Sequence, residues 1–201
     1  MKKRKKELRV GIFGGLFDPI HLGHLKLAQS AHRSLKLDRV ILVPAYISPF
    51  KRKQRGASAT HRLKMVRLAT KKFSWIKISQ FELRRKRVSF SIDAIKHFYK
   101  MFTKGTHIFL LMGQDAFCSL RRWKEHKEIL KLINIAVAKR STQKGSIPSL
   151  FHFKIPMQEI SISSTEIRRQ LSTGQYNQVK NCLPREVYQY IKKERLYAEK
   201  P

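Results

Sequence analysis

Two histidines near the N-terminus are spaced so that both side chains can act on one ligand. His21 and His24 lie three residues apart, shortly after a double glycine, and residues at this spacing share one face of a helix. The start of a helix also offers free N–H groups and a partial positive charge to an anion. Gly23, which has no side chain, would let a ligand approach the backbone closely. The segment therefore predicts a site where two imidazoles and a helix start hold phosphate oxygens.

This segment does not match the common nucleotide-binding loops or a metal site. The dinucleotide fingerprint GxGxxG and the P-loop GxxxxGK[ST] are both absent from the sequence. An HxxH pair on an arbitrary helix is usually a pair of ordinary histidines, but this pair directly follows a predicted first strand and a double glycine. A metal site would need a third ligand, and the sequence suggests none. We therefore predict no metal ion bound by protein side chains.

A second predicted phosphate site lies near the C-terminus. Ser163 and Glu166 have the spacing of a capping box, which marks the start of a helix. Ser164 and Thr165 add two more hydroxyls, and Arg168 follows one turn into the helix. Because arginine can clamp phosphate oxygens in a bidentate manner, the segment is suited to an anion. A capping box is common in itself, so the segment becomes informative only when it is paired with the histidines.

The elements that must position these residues alternate between strand-like and helical patterns. Such alternation predicts a parallel sheet with crossover helices. Segments of strand length cover 8–13, 40–43, 76–78, 107–112, 133–138 and 151–155. The first helix is predicted to have Asp18 as its N-cap and Pro19 as its first residue. Further helical patterns cover about 59–68, 91–102, 124–130, 163–171 and 184–193. Polar loops are predicted over 48–59 and 145–149.

From this order we predict an α/β fold: a Rossmann-like, doubly wound parallel sheet of about five strands with a small C-terminal helical part. Residues 1–7 are expected to be a basic N-terminal tail and 8–201 a single domain, with the C-terminal helices from about 163. Ligands bind to such sheets beyond the carboxyl ends of the strands, where the strand order reverses.

The composition restricts the possible partners and compartment. No stretch reaches the roughly 18 apolar residues that a membrane helix needs, and the two cysteines, Cys118 and Cys182, suggest no disulfide framework. We therefore expect a cytoplasmic protein with no membrane partner. The formal net charge of +31 favours anions. It is compatible with a solvated basic surface, with attraction of nucleotide substrates, or with nucleic-acid binding, and charge does not choose among these.

The two motifs together resemble bacterial nicotinate-nucleotide adenylyltransferases, which belong to the HxGH nucleotidyltransferases. The matching segments are GGLFDPIHLGHL at 14–25 and ISSTEIRRQL at 162–171. Further similar segments are 43–45 with 49–51, 61–65, 82–91, 112–115 with Trp123, and 183–197. The chain departs from the family pattern at four positions, where Thr, His, Tyr and Thr usually stand. These positions are Leu16, Phe50, Phe90 and Ser91.

The resemblance implies transfer of an adenylyl group from ATP to nicotinate mononucleotide, which gives the deamido dinucleotide and pyrophosphate. It implies Mg²⁺ bound mainly through the ATP phosphates, and catalysis by His21, His24 and Arg168. The residues expected at ATP are Gly14, Gly15, Phe17, Gly23, Gly113, Asp115, Ser163, Ser164, Thr165 and Arg168. Those expected at the mononucleotide are Lys51, Phe90, Ser91 and Trp123.

Several alternatives stay open at this point. Trp123 could belong to the core, Asp115 could be structural, and Lys51 could be an ordinary surface lysine. The acceptor could instead be nicotinamide mononucleotide or phosphopantetheine. A basic nucleic-acid-binding protein on a nucleotide-binding scaffold is the alternative from another class, although the basic runs contain few of the aromatic residues that stack on bases. We expect no specific nucleic-acid partner, and the sequence does not fix the oligomeric state.

Overall fold

The computed structural model describes residues 7–49, 56–138, 152–157 and 162–198. Residues 1–6 of the predicted basic tail, residues 50–55 of the predicted loop at 48–59 and the whole predicted loop at 145–149 lie outside the described ranges. Phe50, which departs from the family pattern, and Lys51, which is expected at the mononucleotide, are among them.

Within these ranges, six parallel strands form one sheet in the order β3-β2-β1-β4-β5-β6. They are β1 (Arg9–Gly15), β2 (Arg39–Pro44), β3 (Ile76–Ile78), β4 (His107–Gly113), β5 (Asn134–Ala138) and β6 (His152–Ile155). The predicted doubly wound α/β fold is confirmed. The sheet has six strands rather than the predicted five or so, because the segment of strand length predicted at 151–155 joins it beside β5 as the edge strand β6.

Helices flank the sheet. They are α1 (Leu22–Ser34), α2 (Ala59–Thr70), α3 (Phe81–Arg85), α4 (Ser91–Met101), α5 (Gln114–Cys118), α6 (His126–Leu132), α7 (Ser164–Ser172), α8 (Tyr176–Val179) and α9 (Arg185–Lys193). Predicted helices correspond to α1, α2, α4, α6, α7 and α9. The three shorter helices α3, α5 and α8 were not predicted, since four or five residues give no clear periodicity.

The predicted start of α1 is wrong. The helix begins at Leu22 with His21 as its N-cap in extended conformation, whereas Asp18 and Pro19 form a turn with a cis peptide bond. The physical reason is that the Asp18 carboxylate is occupied elsewhere. It accepts hydrogen bonds from the Ala57 N–H and the Tyr197 hydroxyl and therefore does not cap the helix.

The core lies in two layers, one on each face of the sheet. Side chains alternate along each strand, so that Phe13 and Leu111 face one layer while Ile12 and Leu110 face the other. Helices α1, α2, α7 and α9 cover the first face, and α4 and α6 cover the second. Within the described ranges, no helix is both long enough and apolar enough to cross a membrane. The strand order reverses between β1 and β4, so their carboxyl ends border the crevice where ligands of such sheets bind.

Candidate active site

The start of α1 brings the two histidines into direct contact. Their rings stack with centroids 3.7 Å apart and an interplanar angle of 29°. The His21 backbone N–H donates to His24 Nδ1 at 3.2 Å. Because Nδ1 accepts this bond, a neutral His24 carries its proton on Nε2, and that N–H is set to donate away from the helix. The predicted pairing of the two imidazoles is present, although His21 precedes the first helical turn.

Two phenylalanine rings pack against the His24 ring. The Phe17 ring meets it edge-on at 5.2 Å, and Phe13 lies 6.0 Å away. A side chain at Gly15 would lie 3.2 Å from the Phe17 ring, and one at Gly23 would lie 3.0 Å from the His21 ring. In this structure both glycines therefore leave room for aromatic rings of the protein. The expected contacts of Phe17, Gly15 and Gly23 with ATP stay predictions.

Two other glycines open onto unfilled space. Gly14 is the last residue but one of β1, and Gly113 is the last residue of the neighbouring strand β4. A Cβ built on either would meet no atom within 4 Å. Asp115, exposed in the first turn of α5, follows β4 directly. These residues therefore border the crevice at the point where the strand order reverses.

The start of α7 lies against the turn that precedes α1. The Ser164 hydroxyl donates to the Pro19 carbonyl at 3.1 Å, and Arg168 Nη1 donates to the Asp18 carbonyl at 2.6 Å. Ser163 caps α7 by accepting from the Glu166 N–H at 3.1 Å. The Glu166 carboxylate turns away to Arg169, so only this half of the predicted capping box is formed. Two segments almost 150 residues apart in the sequence thus meet as adjacent helix starts.

The Arg168 side chain is buried, with 9% of the residue exposed. Besides the Asp18 carbonyl, its guanidinium donates to the Thr165 hydroxyl at 3.3 Å. Two of its five N–H donors are therefore bound to protein acceptors that fix its orientation. The structure thus ties Arg168 to the turn before the histidines, and phosphate binding by it stays a prediction.

Arg62 is a site residue for which the sequence suggested no function. Only 3% of it is exposed, and it donates to the carbonyls of Leu16, Ala45 and Tyr46 at 2.7, 2.6 and 2.9 Å. It therefore joins the chain leaving β1 to the chain leaving β2. Burial lowers the pKa of Arg62, while Asp18 and Tyr197 raise it. The sequence did contain a signal that Arg62 is buried, since its spacing places it on the same helix face as Met65, Val66 and Ala69, which are buried.

Three of the residues predicted for the acceptor lie on the other face of the sheet. Phe90 is the N-cap of α4, and Ser91 is the first residue of that helix. The Lys124 ammonium lies over the Phe90 ring, 5.0 Å from its centroid, which brings Trp123 into the same region. Trp123 packs partly against the core and donates from Nε1 to the Ser119 hydroxyl at 3.1 Å. Both the core role and the stacking role considered for Trp123 are compatible with this half-buried position.

A buried carboxylate lies behind this region. Glu82 in α3 is 7% exposed, and burial raises its pKa to about 7, although a hydrogen bond from Ser89 acts in the opposite direction. The Ser89 hydroxyl accepts from the Tyr46 N–H at 2.9 Å, and the Ser89 N–H donates to the Ile47 carbonyl at 2.8 Å. The link between α3 and α4 is therefore joined to the chain leaving β2.

The described residues include no group of three or more His, Cys, Asp or Glu side chains suited to hold a metal ion. The Asp18 carboxylate, which lies close to the histidines in sequence, is bonded to the Ala57 N–H and the Tyr197 hydroxyl.

The fold and the paired helix starts define a nucleotidyltransferase of the α/β class. In agreement, the profile of the cytidylyltransferase-like family matches residues 12–170. A protein of Thermoanaerobacter sp. described as a probable nicotinate-nucleotide adenylyltransferase is 36% identical, over 97% of each chain. A protein of Methylacidiphilum infernorum with the same description is 34% identical, over 98% of this chain and 96% of its own. The chain belongs to this nicotinate-nucleotide adenylyltransferase family.

A solved structure supports the fold independently. Plasmodium falciparum nicotinic acid mononucleotide adenylyltransferase complexed with NaAD superposes with a TM-score of 0.78. The match covers 95% of this chain and 98% of that chain at 21% sequence identity. At this identity the likeness establishes the shared fold.

Proposed function

We propose that the protein transfers the adenylyl group of ATP to nicotinate mononucleotide, forming the deamido dinucleotide and pyrophosphate in NAD biosynthesis. The observation that carries the proposal is the junction of the two helix starts. Ser164 and Arg168 of α7 bind the carbonyls of the turn that leads into His21. Two helix starts side by side direct N–H groups and partial positive charge to one place, as a triphosphate requires.

The reaction needs positioning more than a strong base. A phosphomonoester has its second pKa at about 6, so its oxygen is already largely deprotonated at neutral pH. That oxygen attacks the α-phosphorus of ATP, and the bond from this phosphorus to the bridging oxygen of pyrophosphate breaks. The main barrier is the approach of two anions and the charge that develops on the transferring group. The net charge of +31 favours the encounter.

His24 and His21 are proposed to stabilise the oxygens of the transferring phosphate. The bond from the His21 backbone fixes the orientation of the His24 ring and directs its Nε2–H outward. Phe17 and Phe13 keep the ring in this place. A donor fixed before the reaction needs no reorganisation when the charge develops. Gly14, Gly15, Phe17 and Gly23 are proposed to shape this side of the nucleotide site.

The start of α7 is proposed to receive the β- and γ-phosphates. Ser163, Ser164, Thr165 and Arg168 supply hydroxyls, free backbone N–H groups and a cation there. Nucleotidyltransferases of this family use a divalent metal ion with ATP, and we infer that this ion is Mg²⁺ held mainly by the triphosphate itself. In that position it would neutralise phosphate charge. Gly113 and Asp115 are proposed to contact the adenosine.

The mononucleotide is proposed to bind on the side of Phe90, Ser91 and Trp123. An aromatic face suits the pyridine ring, and the Ser91 hydroxyl with the N–H groups at the start of α4 suits the nicotinate carboxylate. Lys124, next to Phe90, adds a cation that favours nicotinate over the uncharged nicotinamide. Lys51 is proposed to act from the loop beyond β2.

Two further proposals concern the whole molecule. Residues 8–201 are proposed to act as one nucleotidyltransferase domain, since α7 and α9 share a core cluster with α1 and α2. A cytoplasmic location is proposed because both cysteines are free thiols, as expected in a reducing compartment.

The test is to incubate the full chain with MgATP and each candidate acceptor, and to measure pyrophosphate and adenylylated product. The acceptors are nicotinate mononucleotide, nicotinamide mononucleotide and phosphopantetheine. We expect the highest kcat/KM with nicotinate mononucleotide. A higher value with either of the others would overturn the assigned acceptor. Salt-resistant binding of nucleic acid without any pyrophosphate release would favour the non-enzymatic alternative.

A further inference from the structure

Asp18 is a meeting point for distant parts of the chain. Its Oδ1 accepts from the Ala57 N–H at 3.0 Å and from the Tyr197 hydroxyl at 2.7 Å. Its carbonyl accepts from Arg168, whose Nη1 also lies 4.0 Å from Oδ2. Tyr197 is 179 residues away in the sequence. The residue is 7% exposed, so these bonds form in a region with little access to water.

The hydroxyl of Tyr197 is suited to be a permanent donor. Tyr197 follows α9 with a φ of +69° and packs, with Leu196, against the same core cluster as α1. Burial is the main cause that raises the pKa of Tyr197, and the neighbouring Asp18 carboxylate raises it further. The phenol therefore stays protonated at neutral pH and donates its hydrogen to the Asp18 carboxylate.

The bond acts on a short and important segment. Only Pro19 and Ile20 separate Asp18 from His21, the N-cap of α1. We propose that Tyr197 is a positioning residue for adenylyl transfer, because its bond to Asp18 holds the turn that sets His21 and His24 against the ATP phosphates. This inference rests on the proposed function. It assigns a part in the reaction to a residue that follows α9 and whose hydroxyl is bonded to Asp18.

The segment before α2 also contacts the turn at Asp18, which allows a second, independent test. A Cβ built on Gly56 would overlap the Asp18 carboxylate at Oδ2. Gly56→Ala should therefore displace Asp18 while leaving the Tyr197 hydroxyl intact. If the position of this turn controls catalysis, a change in either segment should produce the same kinetic signature.

The first experiment compares Tyr197→Phe with the wild type. The variant leaves a buried carboxylate with one donor fewer, so the turn relaxes, and small displacements at reacting groups are costly. We expect kcat to fall about tenfold. The KM for ATP should rise, whereas the KM for nicotinate mononucleotide should stay within about twofold, since Phe90 and Trp123 lie on the other face of the sheet. Gly56→Ala should shift the same two parameters.

Tyr190→Phe is the matched control. It removes a hydroxyl from α9 that is bonded to His61 Nδ1 at 2.8 Å and makes no bond to Asp18. We expect its kcat and both KM values to match the wild type when all proteins are assayed well below their melting temperatures. Should Tyr197→Phe not fold, Gly56→Ala still tests the role of the turn.

The outcomes separate the inference from the proposed function. A wild-type protein that forms no dinucleotide refutes the proposed function itself. An active wild type with Tyr197→Phe at wild-type kcat and KM, whatever the melting temperature of the variant, overturns the positioning role of Tyr197. Gly56→Ala at wild-type kcat and KM overturns the role of the turn, on which the positioning role depends. Equal rises in the KM of ATP and of the mononucleotide would also overturn it, because that result indicates general loosening of the fold.

Discussion

The two sides of the crevice are built in different ways. On the histidine side, Asp18, Arg62 and Arg168 are all less than 10% exposed, and the two arginines bind backbone carbonyls across long sequence separations. On the Phe90–Trp123 side, the charged pairs are more exposed and partly local, such as Arg87 with Asp93. Aromatic side chains are prominent there, and the Trp123 N–H is itself bonded to the Ser119 hydroxyl.

This difference matches the two tasks proposed for the site. Stabilising a developing phosphate charge requires donors that are fixed before the reaction, and a buried network of charge-assisted hydrogen bonds supplies that rigidity. Recognising a pyridine ring needs only a flat face and a few polar contacts. We therefore expect substitutions on the histidine side to change kcat or stability, and substitutions on the Phe90–Trp123 side to change mainly the KM of the acceptor.

The largest expected effect is that of His24→Ala. Loss of one preorganised donor to a developing oxyanion should lower kcat by about 10²-fold or more, with a much smaller change in either KM. Steady-state kinetics with both substrates measures this. His32→Ala is the control, since His32 lies on the same helix but stacks on Trp75. Near-normal turnover of a folded His24→Ala protein would refute the catalytic role proposed for His24.

Arg62→Met tests the rigidity of the histidine side directly. The change removes the Arg62 donor from three backbone carbonyls, one in a buried and two in a part-buried position. Leaving a buried acceptor without a hydrogen bond costs free energy of folding. We expect the free energy of unfolding to fall by about 2 kcal/mol. Chemical denaturation measures the loss, and Arg67→Met, at an exposed position of the same helix, is the control. A loss no greater than that of the control would show that the network adds little stability.

Trp123→Ala tests the other side. Stacking on an aromatic side chain is worth about 1–3 kcal/mol per base, so the KM for nicotinate mononucleotide should rise about tenfold. The KM for ATP should change less than about twofold, because the histidine side is untouched. Trp75→Ala, which removes a tryptophan from the opposite face, should leave both values unchanged. Equal effects of Trp123→Ala on the two substrates would contradict ring stacking.

The sequence predicted local structure well and long-range bonding poorly. The strands of the sheet and the helices α2, α4 and α7 follow from periodicity and turn residues, which are local properties. The motif at 14–25 located His21 and His24 correctly at a helix start. Asp18 was misassigned as an N-cap, because its partners Ala57 and Tyr197 are 39 and 179 residues away.

The same limit explains the remaining differences within the site. Gly23 was expected to let a ligand approach the backbone. The structure gives a second reason for a glycine at this position, because a side chain there would crowd the His21 ring. Arg62 stood in a recognised segment without a role, since only the folded chain brings the Leu16, Ala45 and Tyr46 carbonyls to one guanidinium. Local sequence patterns thus identify candidate reacting groups such as His21 and His24. Residues that hold the site in place, such as Arg62, become visible only from the tertiary contacts.

The smallest expected effect concerns Glu82 behind the Phe90–Trp123 side. Burial raises its pKa from 4.5 to about 7, so the folded protein holds this proton more tightly than the unfolded chain. The contribution of Glu82 to stability is therefore complete below pH 4.5 and is lost as the pH rises through about 7.

Glu82→Gln keeps an acceptor for Ser89 and cannot ionise. We expect it to exceed the wild type in free energy of unfolding by about 1 kcal/mol at pH 8, and to match it at pH 4 to 5. Denaturation at several pH values measures the difference, with Glu194→Gln at an exposed position as the control. A difference that does not vary with pH would mean that Glu82 has the same pKa in the folded and the unfolded chain, so that it is ionised at neutral pH in the folded protein. The Phe90–Trp123 side would then contain a stabilised buried charge, and the contrast between the two sides would narrow.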